Sequence, residues 1–130
     1  MRGEIERRAH GRCEYCRAPQ RITGVVFHLE HIVPRKRGGA GDLSNRALAC
    51  PTCNLAKSSH VSGCDPLSGA FEPLFNPRQQ IWAGHFCLAE NRLAIRGLTP
   101  TGRATVARLQ LNSRIRLLAR LDWLAAEKWP

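Results

Sequence analysis

Four of the six cysteines form two pairs with the spacing of metal ligands. Cys13 and Cys16 make the first pair, Cys50 and Cys53 the second, and thirty-three residues separate the pairs. Each pair can place two thiolates on one tetrahedral ion at ~2.3 Å. We therefore expect one structural Zn²⁺ per chain on all four cysteines. The alternatives are two unrelated pairs or a redox dithiol, which lacks its usual βαβ surroundings here.

A second group of polar residues, between and just after the pairs, could bind a divalent metal ion and activate water. The carboxylate of Glu30 is a hard ligand suited to Mg²⁺ or Mn²⁺, and His31 can deprotonate water at neutral pH. Asn45 can hydrogen-bond a loop backbone and fix the histidine ring, and Asn54 offers a carbonyl oxygen to a metal. Since neighbouring strand residues face opposite ways, Glu30 and His31 need a bend to reach one site.

Residues 12–60 as a whole resemble the HNH endonuclease family, which folds as a ββα-metal motif. The shared features are both cysteine pairs, the acid–histidine pair before a hydrophobic–proline step, Gly38-Gly39, Asn45 after Leu-Ser, and Lys57 three residues beyond Asn54. The resemblance implies a metal-dependent endonuclease that hydrolyses DNA and leaves 5′-phosphate and 3′-hydroxyl ends.

The resemblance also implies a role for each matching residue. His31 matches the general base, Asn45 the residue that orients the base-bearing loop, and Glu30 the acidic metal ligand. Asn54 stands where many members have histidine, so the chain resembles an HNN variant. With Glu30 and Asn54 as ligands, all protein donors are oxygen, which favours Mg²⁺ or Mn²⁺ over Zn²⁺ or Ni²⁺.

Further residues near this motif are candidates for lining the site or binding nucleic acid. His28 shares the strand face of Glu30 and could line the site, or be a strand histidine with a structural hydrogen bond. Arg35, Lys36 and Arg37 could clamp a phosphate backbone, or be a solvated loop. Lys57 could add charge near the phosphate, or be a solvated helix lysine.

The composition independently favours a polyanionic partner. The 130 residues include 20 Lys and Arg against 10 Asp and Glu, a net charge of +10, and 17 of the basic residues are Arg. We expect nucleic acid as the partner from this charge, and the resemblance implies DNA, with RNA as an alternative. No stretch of ~18 apolar residues predicts a membrane span, and the charged N-terminus lacks a signal-peptide pattern, so a cytoplasmic location is expected.

The elements that must position these residues can be outlined from local patterns in the first half. We predict a helix over Arg2–Ala9 ended by Gly11, and a strand region over Ile22–Ile32 with Gly24 as a turn or bulge. A basic loop, Pro34–Gly41, follows. The apolar run at residues 47–49 then leads to a short helix over Asn54–His60.

In the second half, residues 61–80 are predicted to be an irregular connector, followed by a hairpin over Ile81–Ile95 around Glu90-Asn91. A long amphipathic helix should begin at Thr101 or Thr105 and end near Ala126. Its apolar stripe is Val106, Ala107, Leu111, Ile115, Leu117, Leu118, Leu121 and Leu124, opposite Arg108, Asn112, Arg116 and Arg120. The basic face is either solvated or a second nucleic-acid contact. Cys64 and Cys87 should be small buried or half-buried thiols.

The predicted architecture is α+β. A ββα-metal module with a four-cysteine zinc site occupies residues 1–62, and residues 63–130 are an extension that packs on it. Two other functions stay open: a non-catalytic, zinc-stabilised DNA-binding module, since the third histidine is missing, and a subunit of a larger guided nuclease complex. The oligomeric state and sequence preference are not predicted by any motif.

Overall fold

An antiparallel strand pair followed by a helix is the centre of the fold. The computed structural model describes residues 1–130 and is of the α+β class, as predicted. The helices are α1 (Arg2–Arg8), α2 (Gln20–Thr23), α3 (Pro51–Lys57), α4 (Pro100–Arg108) and α5 (Arg114–Ala125). The strands are β1 (His28–His31), β2 (Arg46–Ala49), β3 (Ser62–Cys64), β4 (Phe71–Pro73), β5 (Phe86–Leu88) and β6 (Ile95–Gly97).

Strands β1 and β2 pair so that His28 lies opposite Ala49 and His31 opposite Arg46. The apolar residues 47–49 of β2 are fully buried, so other parts of the chain cover both faces of this strand. Helix α3 begins directly after β2, with Pro51 in its first turn and the Cys50 sulfur accepting from the Cys53 N–H. The predicted ββα order is confirmed.

The strand predicted over Ile22–Ile32 is wrong in its first half. Residues 20–23 form a helical turn that ends at Gly24, whose φ of +71° is the left-handed conformation that glycine adopts at little cost. The Gln20 side chain decides this geometry, since it accepts from the Phe27 N–H and donates to Glu6. The strand-forming Val25 and Val26 are left exposed.

Residues 61–80 are more regular than predicted, because β3 and β4 form a hairpin around a buried carboxylate. Asp65 accepts from the Leu67 N–H and the Ser68 hydroxyl, and Arg103 donates two hydrogen bonds to it, both of 2.9 Å. Arg103 holds the pKa of Asp65 at about 2. Arg103 lies 38 residues away in the sequence, which is why a local pattern did not predict the hairpin.

The next hairpin is confirmed, with strands β5 and β6 on either side of the predicted turn. Asn91 in that turn accepts from the Leu93 N–H. Strand β6 and its neighbour α4 approach closely at Gly97, where a Cβ would lie 2.4 Å from the backbone nitrogen of Arg103. This position therefore requires glycine.

The single long C-terminal helix is wrong: two helices, α4 and α5, stand in its place. Thr99 caps α4 through its hydroxyl, which accepts from the Gly102 N–H. The helix stops before Gln110, which has a φ of +51°. The Asn112 side chain then pairs with both backbone groups of Ile95 at 2.7 Å, a position it could not reach inside a continuous helix.

Helix α5 buries the face that was predicted to be exposed and exposes the face that was predicted to be buried. Arg116 and Arg120, expected on an exposed basic face, are 8% and 2% exposed. Ile115, Leu118 and Leu121, expected in the core, are 72%, 46% and 50% exposed. The predicted basic stripe therefore does not exist on α5.

One hydrophobic core joins the two halves of the chain. It includes Ile5, Tyr15, Phe27 and Leu48 from the first half, and Phe75, Phe86, Leu109, Leu111 and Trp129 from the second. None of the helices is long and apolar enough to cross a membrane.

Candidate functional site

The two cysteine pairs meet in one buried cluster. The sulfur atoms of Cys13, Cys16, Cys50 and Cys53, here called the thiolate cluster, all lie within 4.8 Å of one another. Cys16 and Cys50 sulfurs are 3.7 Å apart, which matches two ligands at ~2.3 Å on a tetrahedral zinc ion. Burial raises the pKa of the Cys13 and Cys53 thiols, so a cation is needed to keep them ionised. The cluster fits the predicted structural Zn²⁺.

The other two cysteines lie outside this cluster. Cys87 is half-buried, as predicted, whereas Cys64 is exposed, contrary to the prediction. Neither sulfur contributes to a group of metal ligands.

Helix α5 supplies cations to the thiolate cluster. The Arg116 guanidinium donates to the Cys53 sulfur at 3.2 Å, and its other two nitrogens are buried without partners. A Zn²⁺ with four thiolates has a net charge of −2, and Arg116 is paired with no carboxylate, so the cluster is its counter-ion. The proximity of these thiolates raises the pKa of Arg116 against the opposing effect of burial.

Arg120, one turn further along α5, has a different role. Its guanidinium donates to the backbone carbonyls of Leu111 and Leu93, and it lies 5.3 Å from the ring centre of Trp129. It therefore ties the end of α4, the β5–β6 turn and the C-terminus together.

A separate open cleft contains the predicted hydrolytic residues. The cavity has a volume of about 620 Å³. Its lining residues are His28, Leu29, Glu30, His31, Pro34, Arg35, Lys36, Asn54, Ser58 and Ser59. Glu30 and His31 both line it, although they are neighbours in a strand that pairs with β2 in regular register through His31.

Glu30 is held at the back of this cleft. It is 6% exposed, accepts a short hydrogen bond from the Tyr15 hydroxyl, and lies 3.4 Å from the ammonium of Lys57. Burial raises the pKa of Glu30, while Lys57 and Tyr15 lower it. Each carboxylate oxygen has two acceptor sites, so these contacts leave capacity for a cation.

His31 lies at the other side of the cleft, opposite Arg46 in the strand pair. Partial burial lowers the pKa of His31, and the positive charges of Arg46 and Arg35 lower it further. The imidazole is therefore neutral at pH 7 and able to accept a proton. Arg46 itself is fixed by hydrogen bonds to the carbonyls of Leu29 and Gly41.

Asn45 organises the loop that follows β1. Its amide oxygen accepts from the Val33 N–H at 2.9 Å, and its amide nitrogen donates to the carbonyls of Val33 and Ala40. Gly39 makes this clasp possible, because a Cβ there would lie 1.8 Å from the Val33 oxygen. The clasp acts on the loop backbone next to His31 and not on the imidazole ring.

The structure brings Asn54 and His28 to the same cleft. Asn54 lies in α3 immediately after Cys53, so the thiolate cluster fixes the helix that presents it. His28 is exposed on β1 and lines the cleft, and neither ring nitrogen has a hydrogen-bond partner in the protein.

The predicted nucleic-acid contacts divide into two groups. Arg35, Lys36 and Arg37 are exposed beside the cleft, and Arg37 donates to the Ser59 carbonyl. Lys57 lies elsewhere than predicted: it is 1% exposed and donates to the Ile32 carbonyl at 2.8 Å. Its ammonium group pairs with Glu30 and binds the backbone at the end of β1, and it is not on the surface.

Sequence reasoning missed three residues of these sites. Tyr15, between the first two cysteines, donates a hydrogen bond to Glu30. Arg46, directly after Asn45, lies opposite His31 in the strand pair. Their closeness to motif residues was an available signal. Arg116 had none, because it meets Cys53 from 63 residues away.

Comparison with known families finds a match in the first half of the chain. The family model described as HNH endonuclease matches residues 13–60, about a third of the chain. No curated protein and no solved structure matches the chain significantly. The resemblance found in the sequence is confirmed over this segment, which holds both cysteine pairs and the cleft residues Glu30, His31 and Asn54. An HNH segment indicates a nuclease or nucleic-acid-binding role, and hence an interaction with nucleic acid.

Proposed function

We propose that the protein is a metal-dependent endonuclease that hydrolyses DNA phosphodiester bonds at the cleft of β1 and α3. The observation that carries this proposal is the convergence of Glu30, His31 and Asn54 on one open cavity with cationic residues at its rim. A carboxylate, an amide oxygen and a neutral imidazole are the donor set that hydrolysis with an oxygen-coordinated Mg²⁺ or Mn²⁺ needs.

In this proposal, His31 accepts a proton from the attacking water, and its lowered pKa keeps it ready to do so at neutral pH. Glu30 and Asn54 would hold Mg²⁺ or Mn²⁺, and the ion would stabilise the charge that develops on the phosphate and on the leaving 3′-oxygen. Asn45 positions the loop beside the base, and Arg35, Lys36 and Arg37 bind the flanking phosphates.

Tyr15 and Lys57 are buried behind the cleft and hold the carboxylate of Glu30 in place. Their contacts with Glu30 oppose the rise in its pKa that burial causes, and they restrict the rotation of the carboxylate. A ligand held in this way loses less side-chain entropy when it binds a cation.

The test is nicking of supercoiled plasmid by the full chain with Mg²⁺, with Mn²⁺ and with EDTA. We expect metal-dependent nicking that falls by about 10²–10⁴-fold in His31→Asn. His10→Asn is the matched control, since His10 is exposed outside the cleft and asparagine tolerates its φ of +55°. Equal nicking by both variants would contradict the assignment of the base.

A second candidate is a DNA-binding module without catalysis. It is favoured by the burial of Glu30 between Tyr15 and Lys57 and by asparagine at position 54. The two functions differ in one pair of measurements. DNA retardation in a gel with no nicking under any metal supports the binding module, and nicking that EDTA abolishes supports the nuclease. Cleavage that appears only with an added targeting partner would indicate a subunit of a larger complex.

A further inference from the structure

Helix α5 has an exposed face that its own chain does not cover. Because Arg116 and Arg120 are directed inward, the opposite side presents apolar residues to solvent. We call this side the outer face of α5; it consists of Arg114, Ile115, Leu118, Leu121, Asp122 and Ala125, all exposed. Large apolar residues that share one exposed helix face are typical of an interaction surface.

A groove adjoins the outer face on one side. It has a volume of about 350 Å³, and its walls include Val25, Ile115, Ala119 and Trp123. Val25 is exposed, so the apolar surface continues from α5 onto the residues before β1. A partner helix on the outer face would have room for side chains in this groove.

The charges on the outer face identify the kind of partner. Arg114 and Asp122 lie two turns apart, with Leu118 midway between them, and neither forms an ion pair within the chain. One cation and one anion give the face no net charge, which does not suit a polyanion such as DNA. An apolar centre with a cation at one end and an anion at the other is complementary to its own antiparallel copy.

We propose that a second copy of this chain docks on the outer face, with the two α5 helices antiparallel about a two-fold axis at Leu118. In that arrangement Arg114 faces Asp122 of the other copy, and Ile115 faces Leu121, each twice by symmetry. A parallel pairing would instead place Arg114 against Arg114 and Asp122 against Asp122, which like-charge repulsion disfavours.

The experiment is sedimentation equilibrium of the zinc-loaded chain over a wide concentration range. Because one helix and one groove wall make the contact, we expect a concentration-dependent monomer–dimer equilibrium. Leu118→Glu places two carboxylates together at the axis and removes two buried leucines, so it should weaken dimerisation by about 100-fold or more. Leu67→Glu is the matched control, since Leu67 is 76% exposed on the β3–β4 turn, and it should leave the equilibrium unchanged.

A charge exchange tests the antiparallel geometry directly. Arg114→Glu and Asp122→Arg should each weaken dimerisation by about tenfold, since each creates two like-charge contacts, and the double variant should restore it to within about threefold. Circular dichroism and zinc content check that every variant folds.

A wild-type chain that stays monomeric throughout would overturn the proposal, as would a dimer unaffected by Leu118→Glu. A double variant as weak as the single ones would overturn the antiparallel pairing. These measurements contain no DNA and no Mg²⁺, so their outcome is independent of the proposed nuclease activity.

Discussion

Cys53 and Asn54 are neighbours in α3, yet they belong to two sites of opposite character. The thiolate cluster is closed: its four sulfurs are buried, and its negative charge is met by Arg116 from inside the protein. The cleft is open, and His28, Arg35 and Lys36 point to it without partners of their own. The difference teaches how to distinguish a structural metal site from a candidate reactive one: the first has its partners inside the protein, whereas the second leaves polar side chains free for a ligand.

The largest expected effect comes from removing one cysteine ligand from the thiolate cluster. Cys16→Ser should abolish zinc binding and lower the free energy of unfolding by more than about 5 kcal/mol, because zinc binding contributes directly to folding. Cys64→Ser, at an exposed cysteine outside the cluster, should change the free energy of unfolding little. Chemical denaturation and zinc content measure both. Normal zinc content in Cys16→Ser would show that the cluster is not a four-ligand site.

A smaller effect is expected from removing only the charge of Arg116 beside the thiolate cluster. Arg116→Met should lower the free energy of unfolding by about 3 kcal/mol and speed the loss of zinc to a chelator, since the buried −2 charge loses its counter-ion. Arg108→Met, at an exposed position of α4, is the control. If both variants release zinc at the wild-type rate, Arg116 does not stabilise the cluster.

On the open site, removing charges should weaken ligand binding and leave folding unchanged. Alanine at positions 35, 36 and 37 together should reduce DNA affinity about tenfold or more at low salt, and should reduce the slope of log affinity against log salt by about 2 to 3. The control is alanine at Arg7, Arg21 and Arg96, which are exposed elsewhere. Equal slopes for the two triple variants would place the DNA on another surface.

The smallest effect concerns the pH dependence of cleavage. Since burial and the charges of Arg46 and Arg35 lower the pKa of His31, the midpoint of the acidic limb of the pH profile should lie below the ordinary pKa of histidine. Arg35→Gln removes one of these charges, so the pKa of His31 should rise and the acidic limb should move to higher pH. A plot of the nicking rate against pH measures the shift, and a limb that moves to lower pH would contradict this role for Arg35.

The sequence predicted the cleft better than the second half of the fold. Glu30, His31 and Asn54 are close in the sequence to the cysteines and strands that position them, so their spacing carried the information. The α5 periodicity predicted two faces but not which one is buried. Apolar burial alone predicts that the leucine face of α5 packs inward. The arginine face packs inward instead, because Arg116 pairs with thiolates far away in the sequence.

Other errors have the same origin. The break at Gln110 has no glycine or proline to predict it, and depends on the Asn112 contacts with Ile95. The β3–β4 hairpin depends on Arg103 and Asp65. In each case one polar side chain with a distant partner overrides a local preference.

The contact between Arg116 and Cys53 also sets an order of events during synthesis of the chain. All four zinc ligands leave the ribosome before residue 116 is made, so the metal can be loaded onto a nascent chain that still lacks α5. We expect docking of α5 to follow metal capture, since Arg116 pairs with no carboxylate in the chain. When zinc is scarce, we expect the newly made chain to carry a loose C-terminal helix and to be degraded by proteases, which links the abundance of this protein to the zinc supply of the cell.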